Sequence, residues 1–538
     1  MAVQVSKGRI TSILLVIALI GGLYFAYSNG YIGQGGDNIV VAGDDETQIL
    51  EPMAPVSEDG TQVFRIGVVT WPGYLAAQYW NNGFSPNSGS RFRSNYGFDV
   101  QFVLLEDQLA SRSALIGDEV DLLWSTVESF PAEAAGLAKS GVEYVWQSDF
   151  SRGGDACVVR TDAGINSAQD LRGKTIAYSE RTPSHAFLMY VLEAGGLTLD
   201  DIVPAPCPSA LDAAQVFNSG QADAAIVWAP DNFNCVETIN AKMKDSNAAR
   251  VLMDTKTATH IIADGFLVKK SFKDANFENL VNLFEGWAMG AAELQTSDEA
   301  RQKGAQILVD NLEGFVTYED AYASLSDVYY TSIADNVNFF GLNRAYENVT
   351  AQELYDETGK RFVKSGVIAS FPNWGQVSDR SIVQEVAKRM EEKGLMNKPG
   401  YVAENTVIEN APSPTFANTE TVAAISSKAL QVYFKTGSSN LDFNAKNYIK
   451  SEFGTVARTN MGATIRIVGN TDAQGSSMIN ERLSKERAES VKDYMVTAWS
   501  IDPNRIVAVG NGPKKAVKAG AQGANQAYRT VDFELITQ

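Results

Sequence analysis

The chain reads as an α/β protein through most of its length, with a smaller strand–helix unit at the C-terminal end and one membrane-spanning helix near the start. Three observations predict this. From residue 63 to residue 400, short apolar strands alternate with helical segments, which is the pattern of helices packed on a largely parallel sheet. Near the end, Thr464-Ile465-Arg466-Ile467-Val468 reads as a strand. It leads through Gly469-Asn470-Thr471-Asp472-Ala473-Gln474-Gly475 into an amphipathic helix with Leu483, Val491, Tyr494 and Met495 as candidate core positions. Near the beginning, Ile10 to Tyr27 is an apolar run without Asp, Glu, Lys, Arg or His.

Composition narrows the function. The chain has 538 residues and a formal charge of −19, long enough for several domains. The hydrophobic fraction of 45% is ordinary for globular protein. The acidic balance argues against nucleic-acid binding, which favours clustered Lys and Arg. Cys157, Cys207 and Cys235 have no metal-ligand spacing, and His185 and His260 are the only histidines. Neither a metal site nor a cofactor is predicted. In an oxidising compartment one disulfide plus one free thiol is open, and so are three free thiols.

At the N-terminus, Lys7 and Arg9 precede the apolar run, a positive flank that predicts a cytoplasmic start. At about 18 residues the run is near the lower limit for a span. Gly21-Gly22-Leu23-Tyr24-Phe25-Ala26-Tyr27 is too bulky for a clean signal-peptidase site, and no Cys follows as a lipid acceptor. An uncleaved anchor over residues 1–27 is therefore expected over a cleaved signal. It makes the protein a single-pass inner-membrane one with its later domains in the periplasm. The absence of ionisable residues from the span argues against a proton-driven stator subunit. Residues 28–62 and 401–427 read as linkers: the first is acidic and rich in Gly and Pro, and the second contains Ala411-Pro412-Ser413-Pro414.

The middle segment, 63–400, carries strands at Phe64–Val69, Val100–Leu104, Leu122–Trp124, Cys157–Val159, Thr175–Tyr178 and Ala224–Trp228. Helices are expected at Ser184–Ala194 and Ser209–Ser219. Several pieces, in order, resemble periplasmic substrate-binding proteins of the nitrate, sulfonate, taurine and thiamine-precursor type. They are Trp71-Pro72-Gly73-Tyr74, Gly117-Asp118-Glu119-Val120-Asp121-Leu122, Asp170-Leu171-Arg172-Gly173-Lys174-Thr175, and Gln221-Ala222-Asp223-Ala224-Ala225-Ile226-Val227-Trp228-Ala229-Pro230. The resemblance implies two lobes, the second over about 156–262, closing on a cleft about a hinge. Ligands in such folds sit at strand carboxyl ends and helix N-termini. Trp71, Tyr74, Ser125, Thr126, Asp155, Ser184, His185 and Trp228 are the expected solute contacts. Aromatic walls with hydroxyls suit a small solute bearing an anionic or amide group. A sugar is less suited, because carboxylate and amide side chains look sparse there.

In the last segment, 428–538, Asp472 at a strand end and Arg487 on the following helix can face one small pocket. Read singly, they form a surface ion pair of little consequence. In context, with Tyr433-Phe434-Lys435-Thr436-Gly437-Ser438-Ser439-Asn440-Leu441 before and Ile501-Asp502-Pro503-Asn504-Arg505-Ile506 after, the segment resembles the α+β OmpA-like peptidoglycan-binding domain. There, the Asp holds the ammonium and the Arg the carboxylate of a diaminopimelate end. The resemblance assigns Asn470, Thr471, Asp472, Asn480, Leu483, Ser484, Arg487 and Arg529 to the wall peptide. Asn470 replaces the usual His, and Tyr528-Arg529-Thr530-Val531 keeps one arginine of the usual pair.

Together these readings predict a membrane-tethered, wall-bound solute-binding protein without enzymatic activity, serving ABC-type uptake with a permease partner, or sensing. An envelope scaffold with a degenerate cleft is the alternative.

Overall fold

The chain passes between two sheets twice before it builds a third. The computed structural model describes residues 56–57, 59–312, 317–404, 422–435 and 437–537. The expected membrane anchor, nearly all of the first linker and most of the second lie outside the described residues. Among the described residues, no helix is long and apolar enough to cross a membrane.

The first lobe opens with β1 (Val63–Val68), β2 (Asp99–Leu104), β3 (Leu122–Thr126) and β4 (Val142–Ser151). β1 is buried at every position and pairs parallel with both β2 and β3. A strand covered on both faces reads as a nearly continuous apolar run, and Arg65 interrupts it. Its guanidinium is held by Asp121, Nη2 to Oδ1 at 2.7 Å and Nε to Oδ2 at 3.1 Å, and its own amide donates to the same carboxylate. The sequence reading passed over β4, which is long and carries the consecutive polar residues Gln147, Ser148 and Asp149, all buried.

Arg152-Gly153-Gly154 carries the chain into the second lobe, where β5 (Asp155–Arg160), β6 (Thr175–Ser179), β7 (Val203–Cys207), β8 (Ala224–Trp228) and β9 (Ala249–Asp254) form a sheet in the order β7-β6-β8-β5-β9. Pro204 and Pro206 sit on β7, an edge strand, where a missing N–H costs no ladder bond. Cys157, Cys207 and Cys235 are free thiols.

The chain returns through residues 255–262 to β10 (Ala263–Lys269) and later adds β11 (Val328–Tyr330). The first sheet then runs β11-β4-β10-β3-β1-β2, with β10 antiparallel to β3 and β4. Helices after β10 wrap this lobe. Phe284 stacks on Trp146 at 5.0 Å and Trp287 meets Phe266 at 4.7 Å. The helix Ala351–Lys364 also reaches across, placing Arg361 2.6 Å from Glu193 of the second lobe.

The third sheet, β12-β15-β13-β14, is built from β12 (Ser426–Leu430), β13 (Thr464–Asn470), β14 (Ile506–Gly512) and β15 (Val531–Ile536). The helices Phe443–Thr459 and Ser477–Trp499 cover it. Val491 and Met495 are fully buried, as their spacing predicts, and Leu483 and Tyr494 are half-buried. This domain rests on both lobes and on the return segment between them. Ala168 N donates to Ile425 O at 2.8 Å and Gly462 N to Thr257 O at 3.2 Å, while Arg458 lies 3.3 Å from Glu353. A Cβ at Gly462 would meet the carbonyl oxygen of Lys256 at 2.1 Å, so only glycine permits this approach.

Candidate functional site

Two sites emerge, one between the lobes and one on the third domain. The first is a small cavity, partly open to solvent, lined by Val69, Trp71, Tyr74, Trp124, Ile262 and Asp264 from the first lobe and its return segment, and by Asp155, Pro183 and Trp228 from the second. Several of these side chains arrive near the end of an element, while Trp124 stands in the middle of β3. Trp71 is extended and precedes the short turn Pro72–Tyr74. Asp155 opens β5 directly opposite Trp228 at the end of β8. Asp264 stands near the start of β10, level with Thr126 on β3 and Asp149 on β4.

The polar groups behind the wall are tied down. Trp71 Nε1 donates to Asp149 Oδ1 at 3.0 Å, and Tyr74 OH donates to Asp264 Oδ1 at 2.8 Å. Gly154 lies so close to the Trp71 ring that a Cβ there would sit 2.2 Å from its outer edge, and Gly153 adopts φ +127, a conformation other residues rarely take. The Gly-Gly pair thus lets the crossing strand lie flat on the tryptophan. Nearby, Arg152 Nη1 donates to Glu404 Oε1 at 2.7 Å, and His260 Nε2 is 3.1 Å from the same carboxylate. Burial would raise Glu404, but His260 and Arg152 outweigh it and hold it near 2.

Of the residues expected from sequence, the cavity takes Trp71, Tyr74, Asp155 and Trp228. Ser125, Thr126, Ser184 and His185 do not line it. Ser125 Oγ donates to Glu133 Oε1 at 3.2 Å, and the Thr126 hydroxyl is paired with Ser129 at 2.6 Å. Ser184 is fully buried in the helix Pro183–Ala194, whose first residue faces the cavity instead. His185 accepts from Arg181 N at 3.2 Å and packs between Tyr178 and Phe362, at the contact between the lobes. Burial, then Arg181, lowers it to about 4, so it is a neutral packing residue.

Sequence reasoning missed Trp124, Asp264 and the supporting Asp149. The signal for Asp264 was present: a lone carboxylate in the apolar run Ile261-Ile262-Ala263-Asp264-Gly265-Phe266-Leu267. These residues also correct the expected chemistry, because carboxylates are not sparse at this cleft. Burial raises Asp155 to about 6, Asp149 to about 7 and Glu128 to about 8. It drives Asp264 well above the usual range, with Asp149 adding repulsion.

On the third domain, Asp472 lies early in the loop after β13 and is buried. Its Oδ2 accepts from Arg529 Nε at 2.7 Å and from Asn525 N at 3.1 Å. Arg487 does not pair with it. Its Nε donates to Ser438 O at 3.2 Å and its guanidinium lies 4.8 Å over the Phe434 ring. Burial first, and then Arg529, disfavour its charge, while Asp472 favours it. Two guanidiniums and one carboxylate thus share this spot. Asn480 donates to Asp472 O and Gln474 O and shapes the loop. Asn470 is bonded to Thr530 and Asn511, and Ser484 receives Gly512 N. Thr471 is buried beside them, and Leu483 is half-buried on the helix.

Residues 433–530 match the OmpA family, and residues 95–297 match the family described as NMT1/THI5 like. Outer membrane protein Omp38 of Acinetobacter baumannii is 34% identical over 102 residues, 18% of this chain and 28% of that one. Outer membrane protein A of Bordetella avium is 40% identical over 74 residues, 14% of this chain and 38% of that one. The chain thus spans well under half the length of these curated relatives. Among solved structures, the periplasmic aliphatic sulphonate binding protein SsuA from Escherichia coli aligns with a TM-score of 0.45 and 17% identity, over 59% of this chain and 92% of that one.

Proposed function

We propose that this chain, an NMT1/THI5-like binding-protein domain joined to an OmpA-family domain, is a cell-envelope solute receptor held at the peptidoglycan. The observation that supports it most is the pairing of two sites on one chain: a cavity whose walls come from both lobes, and a separate Asp472–Arg487–Arg529 cluster on the third domain. The cavity suits a solute of few atoms, delivered to an ABC permease or sensed in place. The cluster suits a zwitterion, its ammonium on Asp472 and its carboxylate between the arginines, as the end of a diaminopimelate peptide presents. The N-terminal apolar run supplies the membrane tether in this reading.

Full-length protein in detergent should co-sediment with purified diaminopimelate-type sacculi, and an Asp472→Ala/Arg487→Ala double variant should remain in the supernatant. Equal sedimentation of the two would remove the wall from the proposal.

One observation favours the scaffold reading. The third domain and the helix Ala351–Lys364 both bridge the lobes, which resists closure. Small-angle scattering separates the readings: a receptor compacts with its solute and a scaffold does not.

A further inference from the structure

Resting on the receptor reading above, the geometry points to a small organic cation, an ammonium or guanidinium head with few other atoms, held in the cleft by carboxylates from both lobes inside a box of aromatic rings. Asp155 comes from the second lobe and Asp264 from the first, and both line the cavity while only 4% and 5% exposed. Trp71, Tyr74, Trp124 and Trp228 form the surrounding walls. An indole or phenol face attracts a cation, the more so when water is excluded.

No Lys, Arg or His lines this cavity. The basic groups near it already have partners: Arg152 and His260 on Glu404, Lys256 on Asp327 at 3.4 Å, and Arg112 on Glu133 at 2.7 Å. Among the described residues, Asp149, Asp155, Asp264 and Glu128 form no salt bridge with any of them. Buried carboxylates without a counter-ion are costly to ionise. The raised proton affinities of this group, given above, express that cost, and Tyr74 and Tyr144, buried beside Asp264, add no positive charge. A ligand cation supplies what the protein leaves out. Contact with Asp155 and Asp264 together also gives it a reason to favour the closed form, since it gains both charges only when the lobes meet.

An anion would need donors, and only the protonated carboxyls offer them. The two cases have opposite pH dependence. A cation displaces protons and binds tighter as pH rises, whereas an anion needs them and binds tighter as pH falls.

The test titrates full-length protein in detergent with tetramethylammonium, ethanolammonium and methylguanidinium chlorides, and separately with sodium ethanesulfonate and sodium nitrate. Ionic strength is fixed with sodium chloride, at about pH 5 and pH 8. Tryptophan fluorescence, thermal midpoint and small-angle scattering are read together. The expected result is saturable binding of at least one cation, roughly tenfold or more tighter at the higher pH, as one or more displaced protons require. Asp155→Asn should weaken it by a similar factor without lowering the unliganded midpoint. Trp228→Ala, at a half-buried position, serves the same purpose if the first variant misfolds. Binding of ethanesulfonate or nitrate, tighter at the lower pH, overturns the cation and leaves the receptor standing. No response to any of the five salts, with no compaction, overturns both.

Discussion

Arg529 donates to Asp472 through Nε at 2.7 Å, so the carboxylate that the sequence pairs with Arg487 already carries a different cation. Arg487, on the neighbouring helix, is instead fixed by Ser438 and Phe434. The Asp472 carboxylate is thus covered by a half-exposed arginine.

Under the proposed wall binding, a ligand ammonium must share or replace that arginine, whereas the buried Arg487 is left to meet the ligand carboxylate. Asp472→Ala and Arg487→Ala should each weaken binding to sacculi by about 2–4 kcal/mol, because each leaves a ligand charge unpaired. Arg529→Ala should cost less, since its loss also frees Asp472. Sedimentation isotherms for the three variants check the order. An Arg529 variant weaker than the Arg487 variant would reverse the roles assigned to the two.

The buried carboxylates at the cleft set a pH dependence for the unliganded protein. Asp155, Asp149 and Glu128 hold protons up to about 6, 7 and 8, while unfolded carboxylates release them near 4. The native state therefore binds more protons across that window. Stability is fully present below about pH 4 and is lost as pH rises through these values, at about 1.4 kcal/mol per pH unit per proton. Other groups, Glu404 and His185 among them, work in the other direction. Glu404, held near 2, loses its contribution as pH falls below the usual carboxylate range, and His185, near 4, loses its contribution as pH falls from about 6.5. Glu128→Gln should flatten the decline between about pH 5 and 8, read as thermal midpoint against pH. An unchanged slope would mean that Glu128 is ionised in the folded protein.

Arg65 and Asp121 are about equally buried, and the side-chain distance is 2.7 Å. Removing one partner strands the other inside the first lobe. Asp121→Ala should destabilise that lobe by about 3–5 kcal/mol, more than a paired replacement of both by apolar residues. Chemical denaturation followed by tryptophan fluorescence measures the difference, and a loss below about 1 kcal/mol would put water rather than protein around Arg65.

Gly462 packs directly on the return segment, with no room for a side chain. Gly462→Val should wedge the two apart while leaving the third domain's own sheet intact. Sacculus binding should persist, while proteolysis between the domains speeds up. Unchanged proteolysis would show that the contact yields without separation.

Much of the fold was legible because it is written locally. The strands Val100–Leu104 and Ala224–Trp228 are apolar runs of strand length, and the helix after Asp472 keeps its spacing. Trp71, Tyr74 and Trp228 were found because they follow or end a strand, and Asp155 because it precedes one. What escaped is set by register. Asp264 meets Asp149 and Tyr74 only through antiparallel pairing of β10 with β4 and packing over a long stretch of chain. The polar run in β4 hid a central strand. Ser125 and Thr126 looked free because nothing in sequence reveals that Glu133 and Ser129 claim their hydroxyls. The linker reading of 401–427 likewise gave no sign that Glu404 pins Arg152 and His260.

The third domain touches the second lobe at Ala168, the return segment at Thr257 and the first lobe's added helices at Glu353. Rotation of one lobe against the other must slide or break one of these footholds. If the third domain is held at the wall and the lobes form a receptor, as proposed above, a load on that domain is borne by the pivot between the lobes, and stretching of the envelope and opening of the cleft draw on the same few contacts.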